Sequence, residues 1–137
     1  MRALFTTRAE QRILVFHGAT HIVTQMFFDN QRFFDFIDRS RSVEIHVPII
    51  PGLKPLTTAN QLRILPQIFH VDLPEKLVTL VNQTKTRDQV KEVGVARCMQ
   101  QDEELLDYGV PTVHFYTKGK ATPTLEIARR VYGTVHA

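Results

Sequence analysis

A single cysteine, Cys98, stands in a chain of 137 residues. One thiol excludes an internal disulfide and any multi-cysteine metal centre. It falls within a helical pattern, where packing or a surface position accounts for it. No apolar run approaches the roughly 18–20 residues that cross a bilayer. The stretch Met1 to Phe16 has no apolar core of the length a secretion signal needs. No membrane partner and a cytoplasmic location are therefore expected. Charge is not concentrated either. Lys plus Arg number 17 against 14 acids, a net charge of +3, with a pI near 9.2. The bases are scattered singly or in pairs, as at Lys85, Arg87 and Lys91, whereas a nucleic-acid surface gathers them on one face. No nucleic-acid partner is expected. There is no glycine-rich dinucleotide loop and no Gly-x-Ser-x-Gly elbow. His17 and His21 lie four apart but lack the zincin glutamate and a third ligand, so no metal site is expected. No repeat, low-complexity tract or linker interrupts the chain.

What is present is ordinary for one globular domain: 43% hydrophobic and 23% charged residues. His21 to Phe28 is rich in Ile, Val, Thr and Phe and reads as a buried strand. Asp29 can cap a following helix through Arg39, whose Phe33, Phe34, Phe36 and Ile37 form an apolar stripe that packs on a sheet. Val43 to Ile50 reads as a second strand, with regular pairing ending near Pro48. Pro51-Gly52 reads as a tight turn. A helix from Thr57 or Thr58 carries Leu62 and Leu65, and Pro66 ends or kinks it. Leu73-Pro74 opens another helix, with Leu77, Leu80 and Val81 on one side. A long helix spans Arg87 to Tyr108, stopped by Gly109-Val110-Pro111. Thr112 to Thr117 is a third strand, and Thr124 to Tyr132 a last helix. Strands alternating with helices predict three parallel βα units with right-handed connections and helices on one side.

Three motifs carry more than secondary structure: Thr24-Gln25-Met26-Phe27-Phe28-Asp29, Pro51-Gly52-Leu53-Lys54-Pro55 and His114-Phe115-Tyr116-Thr117. In this order and spacing they resemble methylenetetrahydrofolate reductase, from about Gly18 to Tyr132. That family is a flavin-dependent (β/α)8 barrel. The resemblance implies an α/β fold, a partial TIM barrel made of the last three βα units with parallel strands. Residues 18–137 would be the C-terminal portion of the barrel and 1–17 an atypical segment outside the family pattern. Gln25, Pro51-Gly52 and Tyr116 all fall at or near the C-terminal ends of their strands, where such barrels place their sites.

The same resemblance implies roles for single residues. Gln25 matches a glutamine that contacts both the pterin of the folate and the nicotinamide carboxamide. An amide offers donors and an acceptor together, which suits either ring; a satisfied strand amide is the alternative. Gln61 matches a second folate-contacting glutamine, against a solvated helix-face amide. Lys120 stands where a cation can pair with the folate's glutamate tail, against an exposed loop lysine. Leu65 matches a residue over the nicotinamide, against core packing. Tyr116 can line the site; His114, two residues earlier, points to the same side. The implied reaction passes hydride from NADH or NADPH to FAD. It then reduces 5,10-methylenetetrahydrofolate to 5-methyltetrahydrofolate for methionine synthesis.

The chain also departs from the family. The catalytic glutamate belongs to the first strand, and most of the flavin is held by strands two to five; none of these is present, so no catalytic residue is assigned. The switch from unfamiliar to fitting sequence near Gly18 suggests a disrupted frame or misplaced start. The competing expectation is thus an inactive remnant, or a barrel fragment needing a complementing partner. Two open sheet edges and an uncovered apolar face would leave the isolated chain poorly folded, oligomeric or dependent on that partner.

Overall fold

The computed structural model describes residues 18–117 and 121–133. Expectations that concern residues 1–17, and Lys120, lie outside the described residues. Strands β1 (Ile22–Met26), β2 (Ile49–Leu53) and β3 (His114–Phe115) form one parallel sheet in the order β1-β2-β3. Five helices are found among the described residues: α1 (Asn30–Ser42), α2 (Gln61–Phe69), α3 (Glu75–Asn82), α4 (Arg87–Tyr108) and α5 (Thr122–Tyr132). The α/β class and the parallel pairing follow the alternation in the sequence.

Helix ends follow local chemistry. Asp29 caps α1 by accepting from the Gln31 N–H at 3.0 Å. Thr86 caps α4 through the Gln89 N–H at 3.2 Å. Gly109, with φ 106°, ends α4 in the left-handed conformation that suits glycine. The bounds of α4 are those the sequence predicts. Pro66, by contrast, does not end α2. It sits inside the helix near the C-terminus, where it removes a single intrahelical bond. The helix stops at His70, which is left-handed at φ 53° and donates its N–H to the Pro66 carbonyl.

The second strand is the main correction. It starts at Ile49, not Val43, because α1 runs on to Ser42 and the next segment is tethered as a loop. The Arg41 guanidinium donates to the carbonyls of Ile45 at 2.6 Å and Val47 at 3.0 Å. Pro51-Gly52 is not a turn but lies within β2, the central strand. A central strand normally rejects proline, which cannot donate to the ladder. Here the ladder is already broken opposite it. Ile22 pairs with Ile49 and Val23 with Ile50, but the next partners are Met26 and Gly52, an irregularity in β1. On the other side, pairing with β3 begins only at Gly52↔His114.

The core lies between the sheet and the helices. Met26, Phe28, Phe33, Leu53, Leu65, Leu105 and Ile127 are among its fully buried members. Side-chain alternation sends Val23 and Ile50 to the opposite face. Val23, 42% exposed, is the one strand residue among the exposed large hydrophobics of the described residues. No described helix is long and apolar enough to cross a membrane.

Gly94 lets α4 touch the loop after β2. A Cβ there would lie 1.6 Å from the Leu56 carbonyl oxygen. Alanine gains about 1 kcal/mol of helix propensity over glycine. Overpacking against a backbone atom costs about 1–3 kcal/mol or more, and a 1.6 Å approach belongs at the upper end. Gly94→Ala is expected to destabilise the fold by about 2 kcal/mol net. Urea unfolding checks this; an unchanged or higher midpoint would contradict the close approach.

Candidate functional site

The irregular stretch of β1 is where three strands meet at their C-terminal ends. An extra residue between Val23 and Met26 displaces backbone groups from the ladder. Side chains satisfy them. The Gly52 N–H donates to Thr24 Oγ1 at 2.9 Å, and that hydroxyl donates to the Gln25 carbonyl at 3.0 Å. The Thr24 carbonyl accepts from the Tyr116 hydroxyl at 2.7 Å. The Met26 N–H donates to Gln25 Oε1 at 3.1 Å. Each group is thereby removed from competition for solvent.

One donor is left over. Gln25 is 7% exposed, and its Nε2 is buried without a hydrogen-bond partner. The Met26 bond fixes the amide orientation, since only the oxygen can accept from a backbone N–H. A buried, unpartnered amide costs about 1–3 kcal/mol. A group in that position calls for a compensating partner.

Gly52 makes the arrangement sterically possible. A Cβ on it would lie 2.6 Å from the Thr24 carbonyl oxygen and 2.6 Å from Tyr116 Cε2. The Tyr116 ring therefore crosses the middle strand where a side chain would stand. Burial holds its hydroxyl above the ordinary tyrosine range, so it stays protonated and donates. The exposed His114 ring packs edge-on against Tyr116, with centroids 4.6 Å apart.

The loop after β1 is pinned to α4. Gln101 Nε2 donates to the Phe27 carbonyl at 3.2 Å and to Asn30 Oδ1 at 3.1 Å. Arg97 donates to the Phe28 carbonyl at 3.1 Å. The Asn30 amide reaches Glu104 at 2.6 Å. Gln25 thus projects from a strand whose exit is clamped.

The structure gathers Gln25 and Tyr116 at this rim. Gln61 opens α2, beyond β2. Its Oε1 accepts from the N–H groups of Thr57 at 2.7 Å and Thr58 at 3.2 Å, so its NH2 is the part left to meet a ligand. Leu65 is 2% exposed and sits in the core. Reasoning from sequence does not find Thr24 and Gly52 as site residues. A glycine inside a strand does signal a close approach, but the Pro-Gly pair has the composition of a turn. A separate groove of about 510 Å3 runs between α3 and α4, lined by Leu77, Leu80, Val93 and Arg97 among others. Gln25, Gly52 and Tyr116 do not line it.

The residues that build this rim lie within a stretch that matches known proteins. Residues 11–132 match the family model for methylenetetrahydrofolate reductase. The chain belongs to the methylenetetrahydrofolate reductase family. It is 29% identical over 114 residues to a probable methylenetetrahydrofolate reductase (NADPH) of Caenorhabditis elegans, covering 82% of this chain and 17% of that protein. It is 31% identical over 107 residues to methylenetetrahydrofolate reductase 1 of Schizosaccharomyces pombe, covering 77% and 18%. It is 33% identical over 108 residues to 5,10-methylenetetrahydrofolate reductase of Pectobacterium carotovorum, covering 76% and 35%. The chain therefore spans between 17% and 35% of the length of these relatives. A solved structure of an uncharacterized protein from Clostridium thermocellum shares the fold, with a TM-score of 0.66 at 17% identity. It covers 90% of this chain and 47% of that one, and it is described as binding two copies of 5-methyl-5,6,7,8-tetrahydrofolic acid.

A second cluster of perturbed groups belongs to helix packing. Asp102 on α4 is fully buried, with Oδ1 accepting from the Tyr132 hydroxyl of α5 at 2.7 Å and Oδ2 unpartnered. Burial raises its carboxyl pKa, the Tyr132 bond opposes the rise, and Glu103 adds to it. Burial, with Asp102 adding, pushes the Cys98 thiol up to about 12, so it is no nucleophile. Asp102 holds a proton more tightly in the folded state than in the unfolded chain. Stability should therefore fall as pH rises from about 4 through the elevated folded value. Denaturation midpoints measured across pH should show that fall, and Asp102→Asn should flatten it. An identical pH slope in both proteins would contradict this origin.

Proposed function

We propose that this chain forms an arc of a methylenetetrahydrofolate reductase barrel and that its strand-end rim binds the ring of a reduced folate. The observation that supports this is the buried, unpartnered Nε2 of Gln25 at the C-terminal edge of a parallel sheet. With Oε1 tied to Met26, the side chain offers a ligand only its donors. A pterin and a nicotinamide each carry a ring-edge carbonyl oxygen. A single fixed donor can therefore serve both in turn, which suits an enzyme that seats two substrates over one site. Gln61 gives a second amide donor from α2, and Lys120 pairs with the carboxylates of the folate tail.

In this reading the whole enzyme uses NADH or NADPH and FAD to reduce 5,10-methylenetetrahydrofolate to 5-methyltetrahydrofolate, a step toward methionine. Among the five described helices, only α2 and α5 have N-termini free of an acidic side chain that would oppose a flavin diphosphate. A helix N-terminus is the natural diphosphate cradle. The one that follows β1 already carries the Asp29 carboxylate, and α3 and α4 carry Glu75 and Asp88 in their first turns. The grip on the flavin is assigned to strands outside this chain.

The second reading is a folate-binding fragment without turnover, alone or with a complementing partner. Purified chain separates the two. Stoichiometric flavin with reductase activity supports the enzyme. Folate binding without flavin supports the fragment.

Gln25→Met tests the shared claim. It removes the stranded donor but also strands the buried Met26 N–H, so a relief and a cost of about 1–3 kcal/mol each nearly cancel and the fold should keep its stability to within about 1 kcal/mol. Binding of 5-methyltetrahydrofolate should weaken about tenfold or more, the loss of roughly 1.4 kcal/mol. Thermal melts and titration calorimetry check both. Undiminished binding would remove Gln25 from the site.

A further inference from the structure

We propose that Tyr116 is a positioning residue: its hydroxyl, laid across Gly52 onto the Thr24 carbonyl, holds the β1 bulge in the shape that presents the Gln25 amide NH2 to a ligand. This rests on the reading that Gln25 meets the ligand at the strand-end rim.

One ladder bond at the sheet end is not made. The Thr24 carbonyl lies against Gly52, 2.6 Å from where its Cβ would stand. Yet the Gly52 N–H goes to the Thr24 hydroxyl, and the Thr24 carbonyl goes to Tyr116. Both backbone groups are held by side chains, so they cannot pair with each other and flatten the bulge. Strand side chains alternate with a period of two residues, so relaxing an extra residue turns its neighbours. Thr24 and Gln25 are the residues inside the irregularity, between Val23 and Met26. Removing the Tyr116 hydroxyl frees the Thr24 carbonyl to accept elsewhere. The Gln25 side chain then loses the backbone geometry that aligns Oε1 with the Met26 N–H and leaves Nε2 buried and unpartnered. The ring alone does not supply this. It contributes packing on Gly52 and against His114, which phenylalanine would keep.

The experiment compares the full chain with Tyr116→Phe, both labelled with 15N. In the variant, the Gln25 side-chain NH2 resonances should move, and the Met26 amide should exchange with solvent at least about tenfold faster. Amides at the centre of α4 should be unchanged, with only a small fall in melting temperature. Binding of 5-methyltetrahydrofolate should weaken about tenfold in parallel. Gln25 and Met26 signals that stay as they were would overturn the proposal. So would outright unfolding of the variant, which would make the hydroxyl a support of the whole fold rather than of one side chain. Unmodified chain that ignores the folate, with Gln25 and Met26 responding to the substitution as described, would sink the folate reading and leave the positioning role standing. Equal folate binding by both proteins would remove the positioning role and leave the folate reading intact.

Discussion

The bond from the Tyr116 hydroxyl to the Thr24 carbonyl joins the third strand to the first, across a glycine of the second. Parallel strands cannot be joined by short hairpins; each must return through a long crossover. Thr24 and Tyr116 are 92 residues apart, so their meeting depends on every intervening helix packing correctly. The bond also fixes the form of the sheet end. It requires glycine at position 52 and leaves Thr24 Oγ1 to take the Gly52 N–H. What α4 contributes is the frame around it. Gly94 brings that helix onto the Leu56 backbone, and Arg97 and Gln101 clamp the carbonyls that follow β1.

Much of the architecture was legible where its causes are local. Asp29, Thr86 and Gly109 mark helix ends through bonds within a few residues, and the bounds of α4 could be read directly. The start of β2 could not. It depends on Arg41 reaching carbonyls four and six residues ahead, after α1 outran its expected end. Pro51-Gly52 has the composition of a turn, and only the irregular pairing on β1 turns it into strand. The site divides in the same way. Family motifs pointed to Gln25 and Tyr116. They did not reveal that Gln25 spends its acceptor on its own backbone, or that Tyr116 spends its hydroxyl on Thr24. Those facts belong to a bulge, which is a relation between strands and leaves no local pattern.

Two of the three stranded buried side-chain atoms among the described residues, Asp102 Oδ2 and Gln25 Nε2, have different meanings. Asp102 Oδ2 is hidden between α4 and α5, beside a tyrosine that already bonds its partner oxygen. Protonation can relieve it, and its consequence is a dependence of stability on pH. Gln25 Nε2 has no such relief, because an amide does not titrate in this range. The Thr24 carbonyl accepts from Tyr116, and the Gln25 carbonyl from the Thr24 hydroxyl. On the proposed reading, the fold gives up stability at a strand's C-terminal edge where a ligand returns it. Membership of the methylenetetrahydrofolate reductase family names the class of ligand to try first.

The most direct test is to map where a reduced folate touches the unmodified chain. In a 15N titration with 5-methyltetrahydrofolate, the account predicts saturable shifts of the Gln25 side-chain NH2, with the backbone amides of Gly52 and Tyr116 following the same curve. Saturable shifts confined to Leu80 and Val93, in the groove between α3 and α4, would contradict it, as would a titration in which nothing saturates.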